Sequence, residues 1–178
     1  MACSGGWDWA PWSHTWTPAE QAPTFSKGVV GSVYLLPTMA VQLQHVVPHV
    51  FYRGAHPIAP LRAREHADFT VVVRLHLQAE GGAAVAGLAS VSGSWSGAAR
   101  ASAKLSLSQG RPMAISLNLT ARADDIALWW PTGIGAQPLF SVNASFTPHG
   151  GAGVVRAERG IGFRHVSLVT ANDTDAAV

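Results

Sequence analysis

The chain has 178 residues, 48 % of them hydrophobic and 12 % charged, with a formal net charge of +2. That apolar fraction supports a buried core, although the charge content is about half the usual for a soluble domain; disorder by composition is excluded. No two Lys or Arg residues are adjacent, so nothing tracks a phosphate backbone and no nucleic-acid partner is expected; no apolar run approaches the ~18 residues of a membrane-spanning helix, so no membrane partner is expected either.

The chain opens on Gly5-Gly6-Trp7-Asp8-Trp9-Ala10-Pro11-Trp12, which holds three of the seven tryptophans. Glycine frees the backbone and proline fixes φ, so this is a shaped loop or strand end. Indole faces beside a carboxylate suit a sugar ring, whose C–H face lies on an aromatic plane while its hydroxyls donate to the carboxylate. Packed core tryptophans with Asp8 capping a turn are the plainer reading. Residues 1–6 carry neither the basic nor the apolar region of a secretory leader. The start inside so specialised a stretch leads us to expect a piece of a longer polypeptide. Cys3 is the single cysteine, so neither an internal disulfide nor a multi-thiolate metal site is expected.

Residues 13–27 are rich in Pro, Thr and Ser and read as a loop, with Pro18 and Pro23 breaking any helix. Residues 28–37 make a β-branched and aromatic strand closed by Pro37. A boundary is expected there. Residues 39–52 are extended again, with an interruption expected at Pro48, and residues 53–60 form a loop. Phe69, Val71, Val73, Leu75 and Leu77 then alternate with Thr70, Arg74, His76 and Gln78. That period of two marks a strand with one buried face, although Val72 is apolar on the other side.

Short strands recur with turn signals between them: residues 85–92, 101–108, 115–120, 140–146 and about 154–159, then an extended piece over 163–170. Seven or eight short strands with almost no helical periodicity predict an all-β protein, a two-sheet antiparallel sandwich of the immunoglobulin type. The Cys…Trp…Cys signature of antibody domains is absent, and a barrel is the alternative.

All three asparagines, Asn118, Asn143 and Asn172, sit in Asn-X-Ser/Thr with X not proline. Asn118 and Asn143 fall on the outward positions of their predicted strands, where a glycan has room. Glycosylation at all three, and a secreted or lysosomal location, are expected.

Catalytic signals are sparse. Phosphate-binding loops and nucleophile-elbow serines are missing. His45 and His49 are four apart, which pairs ligands on a helix but not on a strand. Asp124 and Asp125 are neighbours on a strand approach, where side chains diverge. Glu158 lies among Arg156 and Arg159 and reads as an ion-pair partner. No two carboxylates have the look of a glycosidase acid and nucleophile. Neither a metal nor a cofactor is expected. Leu128-Trp129-Trp130-Pro131, running on to Gln137-Pro138-Leu139-Phe140, reads as a buried anchor at an inter-strand loop. Arg159-Gly160-Ile161-Gly162-Phe163-Arg164 reads as a bend.

Together these motifs resemble the β-mannosidases of glycoside hydrolase family 2. The family's Gly-Trp-Asp-Trp-Gly-Pro is matched by residues 6–11, with Ala10 in place of glycine. Its Leu-Trp-Trp-Pro…Gln-Pro-Leu-Phe is matched by 128–140, and its Arg-X-Ile-Gly-Phe-Arg by 159–164. The Gly-(Ile/Val)-Trp-(Arg/Lys)-X-Val-Tyr-Leu strand is matched only in part, since Val30 and Gly31 replace the Trp and the basic residue.

The resemblance implies that residues 1–37 are the C-terminal part of a sugar-binding, galactose-binding-like jelly roll. Residues 38–170 would be the immunoglobulin-like sandwich, and 171–178 a linker toward a (β/α)₈ barrel that carries both catalytic glutamates outside this chain. It implies retaining hydrolysis of terminal β-D-mannose from oligosaccharides, with Trp7, Asp8 and Trp9 binding the sugar and this chain inactive alone. A stand-alone carbohydrate-binding sandwich, and a family 2 exo-glycosidase of other specificity such as a glucosaminidase, are the alternatives.

Overall fold

The structure, a computed structural model, describes residues 12–13, 24–25, 33, 35, 40–58, 65–151 and 153–168. The chain divides into two compact units, Met1–Pro37 and Thr38–Val178. In the first, β1 (Trp12–Ser13) pairs antiparallel with β2 (Thr24–Phe25), Trp12 opposite Phe25. The stretch expected to be a loop thus carries a two-residue ladder at its ends. Of the strand expected over residues 28–37, only Val33 and Leu35 are described, and neither joins a ladder. The jelly-roll reading of residues 1–37 otherwise lies outside the described residues.

The second unit contains β3 (Val41–Tyr52), β4 (Phe69–Ala79), β5 (Val85–Gly93), β6 (Arg100–Leu107), β7 (Met113–Ala121), β8 (Phe140–Pro148) and β9 (Val155–Ile161). One sheet has the order β3-β4-β7 and the other β6-β5-β8-β9, with every ladder antiparallel. This is the expected antiparallel β-sandwich. β6 pairs with β5 rather than with β7, so the fourth strand belongs to the larger sheet. Constant-type immunoglobulin domains put their fourth strand on the other sheet. Here the connection from Gly93 to Arg100 is short enough to close a hairpin.

Alternation drives the core. Phe69, Val71, Val73, Leu75 and Leu77 of β4 are all 0 % exposed. Facing them are Ala89 and Val91 of β5 and Val142, Ala144 and Phe146 of β8, all buried. Each large apolar side chain fully buried contributes about 1.5–3 kcal/mol, so these inward rows hold the two sheets together.

Two expectations fail here. Pro48 does not interrupt β3, which runs unbroken with Pro48 opposite Val73. Among the described residues β3 is an edge strand, and an edge position tolerates the missing N–H because the ladder is needed on one side only. A register shift between Leu43 and His45 also changes which positions of β3 point inward. Val41 and Leu43 are buried before it and Val46 after it. Asp124 and Asp125 do not approach a strand: Ala123–Asp125 is a 3-10 turn. The turn after β8 follows its glycines, since Gly150 and Gly151 have φ of 92° and 82°, a region that side chains disfavour.

Candidate functional site

Trp7, Asp8 and Trp9 lie outside the described residues, as does Asn172. Asn118 and Asn143 are exposed on their strands, the first on the three-stranded sheet and the second on the four-stranded one. The remaining motifs, separate in the sequence, are brought together at one end of the sandwich.

That end is knotted around Phe163, which is 0 % exposed. Its ring lies 5.4 Å from Phe69, 5.2 Å from Trp95 and 5.3 Å from Phe140, centroid to centroid. These separations and tilts are those of favourable aromatic pairs. Trp95, on the turn after β5, donates its indole N–H to the Thr120 carbonyl of β7 at 2.9 Å. One side chain thereby ties the two sheets, in a fold without the antibody-domain cysteines. Gly93 lies directly against this indole, and a Cβ there would collide with the ring.

The tryptophan motif docks on the same segment. Leu128 bridges to Phe163, and the Trp129 N–H donates to the Phe163 carbonyl at 2.8 Å. Arg164 donates from Nη1 to the Trp129 carbonyl at 3.3 Å and holds its guanidinium 5.2 Å from the Trp130 ring centroid, a cation–π distance. Gly162 permits the approach: a Cβ there would lie 2.9 Å from Cβ and Cγ of Trp129. Gly135 does the same for Trp130, at 2.8 Å from its Cγ. The loop ties itself, with Trp130 N–H donating to Ala136 and Ile134 N–H to Pro131. Leu128 is buried while Trp129 and Trp130 are half-buried. The anchor expected from sequence is therefore present, and the Arg159–Arg164 motif is its counterpart.

Beside this anchor lies a partly open hollow of about 700 Å³ whose lining includes His66, Asp124, Ile126, Leu128 and Trp130. His66 is 6 % exposed, with Nδ1 3.1 Å from the Ala67 carbonyl. Asp124 is the one carboxylate in the lining. Cutting a glycosidic bond takes two carboxylates flanking it, one more than the described lining supplies. Nearby Asp68 accepts the Ala123 N–H on Oδ1 at 2.8 Å, which fixes the 3-10 turn.

Glu158 is not the arginine partner expected. It accepts a hydrogen bond from the Ser141 hydroxyl across the β8–β9 ladder. Arg159 donates instead to the main-chain carbonyl of Glu158 at 2.8 Å.

The histidines pair in ways the sequence does not announce. His45 and His49 share the outward face of β3, where four residues span about 13 Å, too far for one ion. His45 faces His76 across the ladder, ring centroids 5.8 Å apart. His56 Nδ1 lies 3.3 Å from His165 Nε2, and His165 stacks on Tyr52 at 4.9 Å. With Ser167 donating to the Pro57 carbonyl at 3.1 Å, this fastens the segment after β9 to the loop after β3. Among the described residues no three His, Cys, Asp or Glu side chains converge as a metal cage.

The chain is similar to β-mannosidase A of Aspergillus aculeatus, 25 % identical over 186 residues. The likeness covers 96 % of this chain and 17 % of that enzyme. The solved structure of the Amycolatopsis orientalis exo-chitosanase CsxA is 15 % identical, with a TM-score of 0.48, covering 68 % of this chain and 13 % of that one. Its complex with PNP-beta-D-glucosamine gives the same figures. No family model matches the chain.

Proposed function

We propose that this chain is the non-catalytic β-domain portion of a β-mannosidase-like retaining glycosidase, one that removes terminal β-D-mannose from oligosaccharides. The observation that carries the reading is the likeness to β-mannosidase A along 96 % of the chain. The sandwich serves as a brace that sets the position of neighbouring domains, and its knotted end gives it the rigidity that role needs. The Trp7-Asp8-Trp9 loop grips the sugar, with Asp8 accepting hydroxyl hydrogen bonds and an indole lying on the ring face. Bond cleavage falls to a pair of glutamates in a (β/α)₈ barrel of the same polypeptide, outside this chain.

The test uses the whole polypeptide and this chain side by side on an aryl β-mannoside and an aryl β-glucosaminide. The whole protein is expected to hydrolyse the mannoside preferentially, and this chain neither. Turnover by this chain, or a preference for the glucosaminide, overturns the reading. In the whole enzyme Asp8→Ala is expected to lower kcat/KM by about 2–4 kcal/mol of transition-state binding, as for a lost charged hydrogen bond. An unchanged kcat/KM would make Asp8 a structural residue.

A further inference from the structure

The outer face of the four-stranded sheet carries an open furrow of about 960 Å³, and Asn143 lies in it. Asn143 is on β8, an interior strand, opposite Ser92 of β5 on one side and Glu158 of β9 on the other. In the next row Ser90 lies opposite both Ser102 and Ser145. Arg100 and Arg156 stand at opposite margins, on β6 and β9. The floor is thus a lattice of hydroxyls at the strand spacing of about 4.8 Å, with a guanidinium at each side. Serine is too short to reach across, which keeps the furrow open.

Asn118 has a different setting. It is exposed on β7, an edge strand whose one ladder neighbour among the described residues is β4, opposite Val72. Both asparagines belong to sequons, Asn118-Leu119-Thr120 and Asn143-Ala144-Ser145. Neither would have to leave the core to carry a sugar.

We infer that Asn118 and Asn143 both carry N-linked glycans, and that the first sugars on Asn143 lie in the serine furrow while those on Asn118 project freely from the sheet edge. The furrow offers donors and acceptors for the N-acetyl group and hydroxyls of the core sugars. It hides the Asn143–sugar amide bond from an enzyme that must surround it. Such modification places the chain on a secretory or lysosomal route, and the inference stands whether or not the mannosidase reading holds.

The protein purified from its own cells is digested and mapped by mass spectrometry, before and after enzymatic deglycosylation in heavy-oxygen water. Conversion to labelled aspartate is expected at both positions; an unmodified Asn118 or Asn143 overturns the assignment at that site. Release is then timed on the folded protein. The Asn143 glycan is expected to leave about tenfold more slowly than that on Asn118, the factor that roughly one net hydrogen bond supplies. The two rates are expected to converge once the protein is denatured. Equal rates on the folded protein overturn the furrow seat, and a difference that survives denaturation overturns it as well.

Discussion

The knotted end of the sandwich and the furrow on its four-stranded sheet follow opposite rules. At the knot every large side chain meets a specific partner: Phe163 touches three aromatic rings, Trp95 donates across the sheets, and Trp129 rests on Gly162. Along the furrow four short serines, Ser90, Ser92, Ser102 and Ser145, leave open space above them. The difference separates two meanings of a conspicuous motif. Trp129 and Trp130, conspicuous in the sequence and read there as a buried anchor, hold two distant segments together. The plain serine rows, which drew no attention in the sequence, line a furrow of about 960 Å³.

This contrast is open to attack with single substitutions. Phe163→Ala should cost the most, about 3–5 kcal/mol of unfolding free energy for a buried aromatic truncated to alanine, read from urea denaturation. A loss below about 1 kcal/mol would mean that the closed end is not a knot. Gly162→Ala should follow at about 1–3 kcal/mol, since the added methyl must push Trp129 away. Its cost should fall when combined with Trp129→Ala, because the clash is then removed and the two changes are not additive. Ser90→Ala, on the furrow floor, should stay within about 0.5 kcal/mol of the parent. A larger loss would show that the serine rows are structural after all.

Much of the sandwich was legible because a strand's side chains alternate with a period of two. The run from Phe69 to Leu77 could bury only one set of residues, and the same arithmetic put Asn118 and Asn143 on outward faces. Pro48 misled because a proline's effect depends on whether the strand lies at an edge, which only the strand order reveals. Ala123–Asp125 was read as extended because three residues are too few to show a helical period; the Asp68 side chain, 55 positions away, holds the turn. Arg159, next in sequence to Glu158, points to the opposite face of the strand, and the Ser141 hydroxyl reaches Glu158 diagonally from the adjoining strand, where Asn143 stands directly opposite.

By itself, then, the sequence determined the all-β class, the inward rows of the strands and the outward asparagines, since each follows from local periodicity. It also carried the resemblance, because the motifs keep their order along the chain. Only the tertiary structure decided that Leu128–Trp130 closes on Gly162–Arg164, that His45 meets His76 and His56 meets His165, and that serines of three strands line one furrow. Those pairings join residues 31 to 109 positions apart in most cases, and the register that sets them is a property of packed sheets and not of any one segment.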